Sequence, residues 1–271
     1  MTIGTKAIAR RRGADAAVFT AIICAALWLF APAVSAQDML RHVDLSSRRY
    51  TQADLTRADI EARIAGHKLD FSNMSLNGLD LSGLDLSDAN LRAARLIKAK
   101  LVGTKLKNAV LDEAWALFAD FSAADLSNAS LFAAQMQDTN FDAADLSNAR
   151  IAGDFSRAHL RRARFQGADL SADTKNQATG VVRVVFESAD LDGAHFEKAD
   201  LSQANLQFAK LRGTHFIDTI AIDAQAAGAD FRGARFARTT FTGCDVRQAR
   251  IDRSDLGAFA GALNLNQAQM Q

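Results

Sequence analysis

The chain is predicted to be an all-β solenoid built from coils of about twenty residues. Three observations carry that prediction. The seven residues AADLSNA at 123–129 return unchanged at 143–149. Apolar residues, large except at Ala116, recur at every fifth position from Phe71 to Ile151, with a small residue, usually Ala, two places before most of them. The composition holds one Pro and one Tyr, and much of its 49% hydrophobic share is Ala. Such a composition fits a regular, narrow interior better than an ordinary globular core.

Residues 1–36 read as a secretory signal. Lys6 and Arg10-Arg11-Arg12 form a basic start, AAVFTAIICAALWLFAP is an apolar run, and Val34-Ser35-Ala36 offers small residues for cleavage. Export to the periplasm follows. The competing reading is an uncleaved inner-membrane anchor, because Ala16 to Ala36 is just long enough to span a bilayer. Without residues 1–36 the chain holds 28 basic and 30 acidic residues, a net of −2. That balance argues against a nucleic-acid partner. Cys24 leaves with the signal, so Cys244 remains alone and no internal disulfide is available.

The next segment, 37–68, contains TQADLTRADIEARIAGH at 51–67, which suits a short capping helix with Thr51 as N-cap and Gly66 as stop. Its ADLTRADI also fits two five-residue units.

The regular beat occupies 69–170. In extended chain, residues two apart share a face, so each large centre and the Ala two before it point inward. The residue between them points out and is mostly Asp or Asn, as at Asp85, Asn90, Asp125 and Asp145. The two remaining positions are typically Ser followed by Gly or Asn, residues that accept the positive φ of a tight corner. Each pentad is thus a short strand and a corner, and four corners close a square. The two AADLSNA copies then lie one turn apart, stacked at about 4.8 Å. A helix is excluded because a five-residue spacing would smear the apolar residues around a 3.6-residue turn.

These units resemble the A-(D/N)-L-x-x motif of the pentapeptide-repeat proteins, over about residues 69–256. The resemblance implies a right-handed quadrilateral β-helix; the hand comes from the family and not from the spacing. For some members it also implies inhibition of a topoisomerase by DNA mimicry.

The spacing shortens to four residues at Phe155, and the beat fails across 171–185, which reads as an outward loop. It resumes over 186–256 in the original frame. The tail 257–271 lacks the motif and is expected to cap the far end, as a helix or as a homodimer contact.

No catalytic constellation is present, and no enzyme activity or cofactor is expected. The recurring Asp residues are architectural. Cys244 takes an inward Ala slot, where a thiol is inert. His195 and His215 stand twenty apart, each just before a Phe centre, with Glu197 nearby. They form a candidate metal pair, but no metal is assigned because further ligands are not evident.

The apolar residues Ile97, Val110, Trp115, Leu117, Phe118 and Phe132 depart from the pattern, and if all point outward they make a protein-binding patch. A covering loop or helix, or a local slip that turns Trp115 and Leu117 inward, are the competing readings. Arg157, Arg161, Arg162 and Arg164 form a basic cluster able to meet an anionic envelope polymer or a membrane surface. Charge mixing that keeps stacked coils soluble is the alternative.

The leading expectation is an exported, non-enzymatic scaffold for protein–protein interaction in the periplasm. Binding of an anionic envelope polymer comes second. The DNA-mimic reading ranks below it, because the rod lacks dense negative charge and carries an export signal.

Overall fold

A computed structural model describes residues 44–174 and 181–271. The expected signal and the middle of the 171–185 loop lie outside these residues.

Parallel bridges join residue i to i+20 at every fifth position: Asp70 to Asn90, Ser75 to Arg95, Asp80 to Lys100 and Asp85 to Lys105. Each coil therefore holds four rungs. The pairing is reciprocal, with Leu76 N donating to Arg95 O at 2.7 Å and Arg95 N donating to Met74 O at 2.9 Å. Ladder pairing extends into named strands at β1 (Ser130–Gln135), β2 (Arg150–Asp154), β3 (His215–Ile217) and β4 (Arg235–Ala237).

The two inward slots behave as their residue types require. The centres from Phe71 through Ile151 are buried, as are the Ala residues from Ala89 onward. Where Thr replaces Ala, its hydroxyl finds a carbonyl: Thr104 Oγ1 donates to Leu81 O at 3.0 Å, and Thr214 Oγ1 to Leu191 O at 3.0 Å. Burial without that bond would leave a desolvated donor. Each second corner residue has positive φ, including Asn73 at 60°, Gly83 at 71° and Asn128 at 59°. The corner imposes this conformation even on residues that dislike it, among them Phe118 at 60° and Phe208 at 58°.

At the N-terminal end, α1 (Arg48–Thr51) is a single turn and α2 (Arg57–Ala65) a longer helix. The N-cap of α2 is Thr56 and not Thr51. Thr56 accepts from Asp59 N while Asp59 accepts from Thr56 N, a reciprocal box that Thr51 does not form, because it ends α1 and Asp54, the acid three residues on, accepts from Ser75 N instead. Gly66 ends the helix as expected. Ile60 is buried in the interior. Arg57 Nη1 donates to Asp80 O at 2.8 Å and Arg63 Nη1 to Asp70 O at 3.3 Å, so side chains occupy first-coil carbonyls.

At the other end the regular centres stop at Ile251. Leu256, expected as the last centre, is exposed within a 3-10 helix, Arg253–Phe259, and Phe259 fills the interior instead. The tail then adds a partial rung. β5 (Arg250–Ile251) pairs in parallel with β6 (Gln269–Met270), and Asp245 pairs with Leu263.

The short step before Phe155 and the later loop compensate each other. Asn140 pairs with His159, one residue short of a full coil, and Asp154 pairs with Val185, eleven beyond one. The loop is pinched at its base by an antiparallel bridge between Asp173 and Val182.

Candidate functional site

The Trp115 region is narrower than the sequence pattern predicts. Ile97 and Leu117 are each only 2% exposed. They belong to a column of residues that immediately follow a centre, Asn77, Ile97, Leu117, Gln137 and Ser156, and all five are buried. Trp115 shares the outward face with Leu117, and Tyr50, just before the end of α1, stacks on its indole at 6.2 Å between ring centroids and 16° between planes. The N-terminal segment also reaches this face through Asp54, whose carboxylate accepts from Ser75 N at 2.6 Å. Val110 and Phe132 are half-buried, and the Arg150 guanidinium lies 5.9 Å from the Phe132 ring centre. Of the six patch residues only Phe118 is well exposed, at 47%.

Phe118 has a counterpart that sequence reasoning passed over. Phe208 is 56% exposed and occupies the same corner column four coils on, through Asp138, Arg157 and Ser188. The two rings thus stand on one edge of the rod, about 19 Å apart at a coil spacing of about 4.8 Å. Comparing like positions along that column would have found the pair. The Phe208 ring lies over Gly228 on the next coil, where an added Cβ would meet it at 2.6 Å. Phe208 borders a shallow groove of about 590 Å³ lined also by Lys210, Arg212, Arg232 and Arg250.

The arginine cluster is largely neutralised within the ladder. Arg157 binds Asp138 at 2.6 Å, Arg161 binds Asp190 at 2.7 Å, and Arg164 lies 3.7 Å from Asp145. Arg162 is exposed. Further along, Arg212 binds Asp192 and Arg238 binds Asp218 one coil away. Burial pushes the Asp190 carboxyl up, but its bonds to Arg161 and the Asp192 backbone, with Lys210 nearby, hold it below the usual carboxylate range.

His195 and His215 are a bridged pair whose rings meet edge-on, with centroids 4.4 Å apart and 64° between planes. Both Nδ1 atoms face one oxygen of Glu197, at 3.1 and 3.5 Å. Burial raises the Glu197 pKa, while its own backbone N–H and the two imidazoles lower it further, so the net shift is downward. Cys244 is buried in its Ala slot, and burial pushes its thiol up to about 12, far from the range of a reactive cysteine. Among the described residues no helix is long and apolar enough to cross a membrane.

No curated protein matches the chain. Among solved structures, QnrB1, a plasmid-mediated fluoroquinolone resistance protein, is similar at 17% identity, covering 73% of this chain and 89% of that one with a TM-score of 0.43. A pentapeptide repeat protein from the Arabidopsis thaliana thylakoid lumen is 29% identical over 37% of this chain and 62% of its own, with a TM-score of 0.31. HetL, a pentapeptide repeat protein involved in heterocyst differentiation regulation in the cyanobacterium Nostoc, is 24% identical over 71% of this chain and 97% of its own, with a TM-score of 0.25. The family model of pentapeptide repeats matches in eight copies, over residues 68–92, 75–112, 89–128, 118–148, 151–172, 182–216 and 222–257. With its five-residue centres, its positive-φ corners and this match over more than half its length, the chain belongs to the pentapeptide repeat family.

Proposed function

We propose that this chain is an exported, non-enzymatic scaffold whose right-handed, four-sided β-helix holds a protein partner along one corner. One observation carries the reading. Phe118 and Phe208 are exposed, share a corner column, and adopt a left-handed backbone conformation that costs a bulky residue about 1–2 kcal/mol. Asn or Gly would serve the corner better, and a polar residue would serve the solvent better. A residue that is wrong on both counts points to a demand other than stability, and Phe is among the side chains enriched at interfaces.

The contact edge differs from the sequence-defined patch. Phe118 stays in it, Phe208 joins it, and Ile97 and Leu117 leave it because they are buried. Trp115 serves the fold through Tyr50. Export rests on the 1–36 pattern alone, and a homodimer through the tail rests on the exposed Leu256 and Leu263.

Anionic-polymer binding through Arg157, Arg161 and Arg164 is disfavoured by their pairing with Asp residues on neighbouring coils. The same alternation of sign disfavours DNA mimicry, which needs an unbroken acidic surface.

The test is photo-crosslinking in fractionated cells from position 118 or 208, with a polar double variant, Phe118→Asn with Phe208→Asn, as competitor. Capture of one periplasmic protein by both positions, not competed by the variant, is the expected result. Capture that the variant competes as well as the parent chain sinks the corner as the contact.

A further inference from the structure

We propose that His195, Glu197 and His215 form a binding site for a divalent transition metal, with zinc the best match. The backbone builds the cluster. His195 and Glu197 are two apart on one extended segment, so their side chains leave the same face. His215 lies directly above His195 on the next coil, joined by a parallel bridge. Behind the rung, Phe196 and Phe216 stack at 5.5 Å with 6° between planes, which fixes the two segments against each other.

The donor geometry suits a metal. One ligand atom from each residue lies within 4.8 Å of the others. The two Nδ1 atoms are 3.1 and 3.5 Å from the same Glu197 oxygen. Tetrahedral zinc with bonds of about 2.0–2.1 Å holds its ligand atoms about 3.3 Å apart. Small side-chain rotations therefore convert the cluster into a coordination shell. Two imidazoles and one carboxylate are a known zinc donor set, and water completes the fourth position.

A second observation is independent of that spacing. Glu197 Oε2 is buried and has no hydrogen-bond partner. This is not the oxygen that faces the two imidazoles, which is Oε1. A carboxylate oxygen taken out of water and left unbonded is costly, and a cation held by both carboxylate oxygens, or by Oε2 after a rotation of the carboxylate, removes that cost. The side chains of all three residues are partly open to solvent, so an ion has a path in.

The neighbouring coils are compatible with a cation. In the Glu197 column the flanking residues are the uncharged Gln166 and Ile217. In the histidine column they are Arg164 and Arg235. Arg164 turns toward Asp145 at 3.7 Å and Gln166 at 3.5 Å, and Arg235 is exposed.

The experiment is zinc titration of purified, chelator-stripped full-length protein by calorimetry, with metal content read after dialysis. One zinc per chain is expected, with affinity falling tenfold or more in both His215→Ala and Glu197→Gln, since even outer-shell changes cost about tenfold. His159→Ala, an exposed histidine on another face, should bind as the parent does. Cobalt(II) in place of zinc should show the intense visible bands of a four-coordinate ion in the unaltered chain, which needs no folded variant. Absence of stoichiometric uptake at micromolar zinc, or uptake that survives both substitutions in folded protein, overturns the proposal.

Discussion

The repeat is broken twice, and the two breaks are handled in opposite ways. Before Phe155 the chain is one residue short. There β1 and β2 pair with a register shift, Phe132 opposite Ala152 and Ala134 opposite Gly153, so that Ala133 bulges. The missing residue is the one that would have taken the positive-φ corner, and the chain runs extended through 150–154. The shortage is absorbed inside the wall. After Leu170 the chain instead has a surplus, closed off at its base by the antiparallel Asp173–Val182 bridge, and the rungs on either side are undisturbed. A deficit in a solenoid must be met by backbone approach, while a surplus needs only an exit.

The largest expected effect tests the deficit. Gly153 does not have positive φ; it is required for space, since a Cβ there would sit 2.4 Å from Ala134 O and 2.9 Å from Ala134 N. Gly153→Ala should lose about 3 kcal/mol or more, because backbone and not a movable side chain is in the way. A midpoint in urea unchanged from the parent would show that β2 can back away.

Next comes the polar lining of the same break. Asp154 is buried, accepting from Ser156 N at 2.9 Å and from Gln137 Nε2 at 2.7 Å. Asp154→Ala removes the acceptor of Ser156 N, Ser156 Oγ and Gln137 Nε2, of which the last keeps Gln135 Oε1, and should cost about 1–3 kcal/mol. The paired change with Gln137→Leu should recover part of that loss in the same denaturation assay.

The surplus is tied across by charge. Arg161, on the coil before the loop, donates twice to Asp190 on the coil after it, at 2.9 and 2.7 Å. Asp190→Asn should cost about 1–2 kcal/mol near neutrality. Because its folded pKa lies below the unfolded value, this stabilisation is present above the unfolded carboxylate pKa. It fades as pH falls through the folded pKa, so the variant and parent stability curves should converge in acid. A constant gap down to pH 2 would assign the effect to packing.

The smallest effect is expected where the surplus leaves. Replacing 174–181 by Asn-Gly, a turn suited to an antiparallel two-residue connection, should change stability by less than about 0.5 kcal/mol. A large loss would mean that the loop packs on the rod.

Much of this was legible in one dimension. The five-residue beat identified the centres from Phe71 to Ile251, and the lost and recovered frame was visible as the step to Phe155 and the resumption at Phe186. Repeat architectures allow this because each coil contacts only its neighbours, so local spacing already implies who stacks on whom. Cap details were less legible. Thr51 and Thr56 both precede an amphipathic stretch, and only the reciprocal bond with Asp59 separates them.

Sequence by itself determined the solenoid, its inward slots, its corners and its interruptions, since all of these follow from periodic alternation along an extended chain. Tertiary structure decided what the outward side chains do. It buried Ile97 and Leu117 beside Trp115, laid Tyr50 over that indole, joined Arg161 to Asp190 on the coil after the insertion, and brought Glu197 to both imidazoles. The pattern says which side of the wall a residue faces. Its contacts there depend on rotamers and on which residue stacks on the next coil, and across the insertion after Leu170 that partner lies thirty-one residues on, as Asp154 to Val185 and Arg164 to His195, in place of twenty.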